Sequence, residues 1–193
     1  MTAFPQHDEA TAPEAAKGAL AEVKADFGMI PNLERTMATA PALLKAYAAA
    51  WSLFDETSLD PVERQIVYQT ANFENECDYC VPWHTLLSKK AGMAGEDVEA
   101  LRRGGALSDP RQEALRRFAQ TVVRTRGNVA EADLDAFFAA GWSPQAALEA
   151  VLGVAIKTMS NYTNSIAGTP LDKAVAKHAW SKPVIKPRAA DAA

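Results

Sequence analysis

Over most of the chain apolar residues recur at intervals of three and four, the spacing that lines one face of an α-helix. From Pro13 to Phe27 the positions Ala16, Leu20, Val23 and Phe27 keep this period, and Gly28 follows as a stop signal. Pro31 and Pro41 each open a further helical stretch. The second carries Leu43, Leu44, Tyr47, Ala50, Trp51 and Phe54, a face too apolar to be left in water. Core packing is the expectation for these aromatics, with Trp51 or Phe54 lining a pocket as the alternative. Asp60-Pro61-Val62-Glu63 supplies an N-cap aspartate, a proline at the first helical position and a glutamate at the third. A helix is therefore expected from Pro61 to about Glu74, buried along Val62, Ile66, Thr70 and Phe73, with Asn75 as a left-handed terminator.

Pro82 is tolerated only in a first turn, so the next helix should start at Asp78 or Tyr79 and run to Gly92. Further helices are expected from Gly95 to Arg103, from Pro110 to about Arg126 behind Asp109, and from Glu131 to Ala140. Another opens at Ser143-Pro144 and continues past Met159, and a short last one runs from Thr169-Pro170 to about Trp180. No stretch alternates as a strand does, and no repeat is evident at a period of about 20 to 50 residues. The expected fold is all-α, a compact multi-helix bundle forming one domain over residues 13–180. A loose arm, 1–12, precedes it and a mobile tail, 181–193, follows.

The chain has 193 residues, a net charge of −4 and a pI near 5.4. Nothing in this balance points to nucleic acid or an anionic membrane as partner, and the arginine pairs 102/103, 116/117 and 124/126 read as solvated helix faces. The first residues lack the basic start and apolar run of a secretory signal, and no apolar stretch of about 18 residues exists. A cytoplasmic protein is expected. Its two cysteines lie three positions apart, which rules out a framework of long-range disulfides and makes the pair chemical in character.

In a helix beginning in the Cys77-Asp78-Tyr79-Cys80 segment, Cys77, Cys80 and His84 fall at i, i+3 and i+7 on one face. Unpaired amides and the helix dipole favour thiolate at such an N-terminus. Cys80, inside the first turn, is expected to attack, and Cys77, at or before the cap and closer to solvent, to resolve the product into a disulfide. Gln65, Gln69, Asn72 and Glu76 form a polar stripe leading to the cysteines, either a solvated face or a hydrogen-bonded path serving the thiols. Three chemistries fit the unit: peroxide reduction, a zinc site lacking its fourth ligand, and thioredoxin-like dithiol exchange. A non-enzymatic helical oligomerisation module whose cysteines pack or sense redox state is the remaining alternative.

The run Arg64-Gln65-Ile66-Val67 followed by Ala71 through His84 resembles the core motif of the AhpD-like alkylhydroperoxidases, within the carboxymuconolactone decarboxylase superfamily. A looser likeness extends from the segment Phe27 to Asn32 to the segment Asn161 to Asn164. The resemblance implies an all-helical unit assembling as a trimer or hexamer and reducing organic hydroperoxides through its two cysteines; no flavin or metal motif is visible in the sequence, so no cofactor or metal is expected. By the same resemblance Cys80 is the peroxidatic cysteine, Cys77 the resolving one, His84 the relay histidine, and a lipoyl or thioredoxin-like dithiol protein the reductant. Two positions depart from the pattern. Gln65 stands where the family has its proton-relay glutamate, and Tyr79 where the AhpD proteins proper have a histidine. Gln65 can hold His84 or a water but cannot shuttle a proton, which leaves Glu63 and Glu76 as substitutes to look for. The decarboxylase branch of the superfamily lacks the cysteine pair.

Overall fold

The structure, a computed structural model, describes residues 4–183. Among them are nine α-helices, a 3-10 helix and no strand: α1 Glu14–Phe27, α2 Asn32–Met37, α3 Pro41–Asp55, α4 Pro61–Glu74, α5 Cys80–Lys90, α6 Gly95–Arg103, α7 Pro110–Thr125, α8 Glu131–Ala139, α9 Pro144–Ala167, and the 3-10 turn Lys173–His178. No helix of the described residues is long and apolar enough to cross a membrane.

The bundle is built around α4, which packs against α5, α6, α7 and α9. Its start is the expected capping box: Asp60 accepts from the Glu63 amide, and Glu63 Oε2 accepts from the Asp60 amide. Every residue from Ile66 to Phe73 is buried, so Gln69 and Asn72 of the polar stripe face protein rather than water. Gln69 Nε2 donates to the Val81 carbonyl, Asn72 Nδ2 to Gln69 Oε1, and Asn161 Nδ2 to Asn72 Oδ1, a chain tying α4 to α5 and α9. Buried amides need such partners, since an orphaned one costs about 1–3 kcal/mol. Of the stripe's ends, Gln65 is half-buried, and Glu76 is exposed and pairs with Lys182.

The turn after α4 differs from expectation. Asn75 keeps φ −82° and sends its side chain to Asn161 Oδ1, while Glu76 takes the left-handed conformation at φ 55°. This lets the Cys77 amide close on the Asn72 carbonyl at 3.0 Å and turns the chain straight into α5. That helix starts at Cys80, later than expected, because the Val81 amide bonds the Cys77 carbonyl and the Cys80 amide bonds the Cys77 sulfur. Pro82 still falls in the first turn.

Helix α9 crosses α3 and α4 at Gly153, where an added Cβ would lie 2.7 Å from both the Phe54 ring and Val67. Only glycine lets this helix approach so closely, and the approach carries Lys157 and Asn164 into the interior. The last element is the turn Lys173–His178 rather than a helix from Pro170. Asp172 stands at its N-cap but gives it no side-chain cap. The carboxylate is committed instead to the Tyr79 hydroxyl, Trp83 Nε1 and the Asn32 amide, pinning the start of α5 to α2.

The expected loose arm packs where it is described. The His7 amide donates to the Arg35 carbonyl, Asp8 caps its own turn, and Ala12 is buried. The rest of that arm, residues 1–3, and the tail from 184 to 193 lie outside the described residues.

Candidate functional site

Both cysteines are free thiols and both are buried, Cys77 5% exposed and Cys80 2%. The Cys80 amide donates to Cys77 Sγ at 3.3 Å, so the resolving candidate takes up an N-terminal amide of α5. Two groups of α9 reach the sulfurs. Asn164 Nδ2 lies 3.2 Å from Cys80 Sγ and 3.8 Å from Cys77 Sγ, and Ser160 Oγ is 3.9 Å from Cys80 Sγ. Burial alone would push the Cys80 thiol up. The Cys77 hydrogen bond, the Lys157 charge and side-chain hydrogen bonds with Ser160 and Asn161 outweigh it, and the pKa is lowered. Cys77 moves the other way, raised by its hydrogen bond with Cys80, then by burial and the Cys80 charge. Between the two thiols, the proton belongs on Cys77.

The sulfurs open in different directions. Cys80 lines a narrow cavity of about 30 Å³ with Phe27, Leu33, Trp51, Trp83, His84 and Lys157. Phe27, Glu34, Tyr47, Trp51 and Leu87 belong both to this cavity and to a groove of about 1100 Å³ between α1 and α3, which is its mouth. Cys77 instead borders a polar hollow with Glu76, Asp78, Asn161 and Asn164. Trp51 thus lines a pocket, whereas Phe54 is wholly in the core.

His84 is 2% exposed and has both ring nitrogens committed. Nε2 lies 2.9 Å from Lys157 Nζ and Nδ1 lies 2.8 Å from Gln65 Oε1. An ammonium can only donate, so Nε2 is the acceptor and Nδ1 carries the proton to Gln65. Burial, then the Lys157 charge, hold the imidazole well below its usual pKa, so it is neutral. Gln65 and His84 therefore meet as the sequence suggested, but as an orienting pair for Lys157 rather than as a bond to a thiol. Tyr79, in place of the family histidine, is structural: its hydroxyl accepts from the Leu33 amide and donates to Asp172.

Neither carboxylate looked for near Gln65 is there. Glu63 is spent on the capping box and on Arg111, and Glu76 on Lys182. The cavity does contain a carboxyl, Glu34 of α2, which is 5% exposed and whose Oε2 is buried without a hydrogen-bond partner among the described residues. Burial pushes this carboxyl up to about 8; its own backbone amide and Lys157 offset part of that rise, and Asp172 and Cys80 add to it.

Lys157 and Glu34 were missed in the sequence. Lys157 left a trace, as the only basic residue of the 24-residue helix α9, at a position in step with the buried Gly153, Ser160 and Asn164. Glu34 left none, since a glutamate in a first helical turn is ordinary. Among the described residues no group of three or more His, Cys, Asp or Glu side chains could hold a metal ion, and with both His84 nitrogens occupied the zinc reading has no ligand set.

Residues 41–121 match the profile of the Carboxymuconolactone decarboxylase family. No curated protein matches the chain at a significant level. Among solved structures, the fold resembles the alkylhydroperoxidase AhpD core of an uncharacterized peroxidase-related protein from Ralstonia eutropha, with TM-score 0.80, 23% identity, and 90% of this chain and 94% of that one covered. A peroxidase-related protein from Silicibacter sp. is similar at TM-score 0.75 and 20% identity, covering 90% and 92%. The debrominase Bmp8, in complex with 2,3,4-tribromopyrrole, is similar at TM-score 0.77 and 16% identity, covering 92% and 96%.

Proposed function

We propose that this chain, whose residues 41–121 match the Carboxymuconolactone decarboxylase family and whose all-α fold is AhpD-like, is a thiol-dependent peroxidase reducing organic hydroperoxides. The observation that carries the reading is the setting of Cys80, a thiol biased toward thiolate in an apolar cavity, with a protonated second thiol bonded to its amide. The hydroperoxide group enters the narrow cavity and its organic part lies in the groove against Phe27, Tyr47 and Trp51. Cys80 attacks the O–O bond and becomes a sulfenic acid. Cys77 condenses with it, releasing water and forming the disulfide.

A separate dithiol carrier, a lipoyl or thioredoxin-like protein, then attacks Cys77 from the polar hollow. Cys80 leaves, because the thiol of lower pKa is the better leaving group. Such a cycle belongs in the cytoplasm, where dithiol reductants are kept reduced.

The test is a free-thiol count on reduced protein before and after one equivalent of cumene hydroperoxide, with a chelator present. Both thiols should be lost rapidly to an intramolecular disulfide, and the Cys77→Ser protein should stop at a sulfenic acid on Cys80. Thiols that persist for hours would leave thiol-disulfide exchange as the better reading.

Self-association into a trimer or hexamer is the second part of the proposal. Leu148, Val151, Tyr162 and Ile166 are 47–74% exposed and fall on one stripe of α9. Replacing Leu148 and Ile166 together by glutamate should reduce the sedimenting species to a monomer; an unchanged mass would remove this stripe as the interface.

A further inference from the structure

Lys157 is 1% exposed and forms no ion pair with a carboxylate among the described residues. Its ammonium touches His84 Nε2 and sits 5.9 and 5.4 Å from the ring centroids of Trp51 and Tyr68. A buried cation of this kind needs one anion, and two groups lining its cavity can supply it, Cys80 and Glu34. In a water-poor site two anions against one cation are costly, so only one of the pair is ionised at a time.

We propose that Cys80 and Glu34 share a single negative charge opposite Lys157, and that oxidation of Cys80 releases the Glu34 proton to the leaving oxygen of the peroxide. The proposal rests on Cys80 being the reacting thiol. In the reduced protein the charge sits on sulfur, which has Asn164 Nδ2 at 3.2 Å, Ser160 Oγ at 3.9 Å and the Cys77 side-chain hydrogen bond around it, whereas Glu34 Oε2 has no hydrogen-bond partner among the described residues. Glu34 therefore holds the proton, in agreement with its raised pKa.

The other groups near Glu34 do not compete for the charge. Asp172 is committed to Tyr79 and Trp83, and Tyr47 and Tyr79 are held protonated by burial. His84 is neutral, and Glu22, Asp26 and Lys45 are exposed on the groove wall.

The step balances. The Cys80 thiolate attacks the terminal oxygen of R–O–OH, an S–O bond forms as O–O breaks, and sulfur is oxidised by two electrons as the peroxide is reduced to alkoxide. Glu34 protonates the alkoxide to ROH and becomes the carboxylate that faces Lys157. When the dithiol reductant later regenerates the Cys80 thiolate, the proton freed in that exchange returns to Glu34. Glu34 is thus the carboxyl that position 65 no longer provides, supplied by a different helix.

Infrared difference spectra of reduced against diamide-oxidised protein test this without any peroxide. The C=O stretch of a protonated carboxyl should be present in the reduced wild type, vanish on oxidation to the disulfide, and be missing from Glu34→Gln in both states. A band absent from the reduced protein, or unmoved by oxidation, overturns the shared charge. Single-turnover oxidation by cumene hydroperoxide then separates the two ideas. With the band behaving as described, Glu34→Gln should slow thiol loss by about 100-fold or more, the usual worth of a positioned acid. Wild-type thiols inert to peroxide would sink the peroxidase reading and leave the charge exchange standing, whereas rapid oxidation with a static band would do the reverse.

Discussion

Lys157→Met should return Cys80 toward an ordinary thiol. The ammonium is the full positive charge that lowers the Cys80 pKa, acting in a cavity that excludes most water. An opposite charge close to an ionisable group typically shifts it by about 1–3 pH units, so from a Cys80 pKa of about 6 the thiolate fraction at pH 7 should fall from about nine-tenths to between about one half and one hundredth. Titration of the thiolate absorbance in a Cys77→Ala background measures this directly, and the midpoint should move to higher pH. Alkylation by iodoacetamide at neutral pH should slow in proportion. The same substitution takes the donor from His84 Nε2 and the charge that helps hold the imidazole down, so the histidine pKa should rise. Met is close to Lys in length and the stem already packs in the core, so the helix content should be unchanged. An unmoved Cys80 midpoint would show that hydrogen bonds alone poise the thiol.

Glu34→Gln should stabilise the protein at neutral and alkaline pH while changing little in acid. The sign follows from linkage. A carboxyl raised from 4.5 to about 8 binds its proton more tightly in the folded state than in the unfolded one. Its contribution is fully present below pH 4.5 and is lost as pH rises through about 8, at up to about 1.4 kcal/mol per pH unit. At pH 7 the wild type has lost about 3 kcal/mol on this account. The glutamine variant, which has no such proton, should show a flatter stability curve across that window. Urea unfolding at a series of pH values, with thiols kept reduced, reads the difference. Parallel curves for the two proteins would place Glu34 in a wetter environment than its 5% exposure implies. Oxidised protein offers a second comparison: with the Cys80 charge gone, the Glu34 pKa should drop and the two stability curves should converge.

Under the proposed function, these two residues explain how the dithiol site would operate with a glutamine at position 65. Gln65 accepts from His84 Nδ1, which leaves Nε2 free to accept from Lys157 and aims the ammonium into the cavity. A glutamate at that position would draw a proton onto the imidazole and set a second cation against Lys157. The departure from the family pattern and the buried lysine are therefore parts of one arrangement.

What the chain determines by itself is local. The helical periods, the Asp60 capping box, the glycine and proline stops and the first-turn place of Pro82 depend on residues a few positions apart, and each is found at or within a few residues of where periodicity puts it. The pairing of Cys77 with Cys80 is local in the same sense, as their separation is one helical turn. Where local competition is fine, the sequence misleads: Asn75 and Glu76 exchange the terminator role because the Asn75 amide finds a partner on α9, 86 residues away. The poise of the site is decided wholly by tertiary structure. Lys157 comes to His84 from 73 positions along the chain, and only because Gly153 lets α9 settle against α3 and α4. In sequence a lone lysine or glutamate reads as a solvated surface group. Burial beside other ionisable groups makes it part of the candidate site, and burial is a property of what packs across from a residue, which no local pattern encodes.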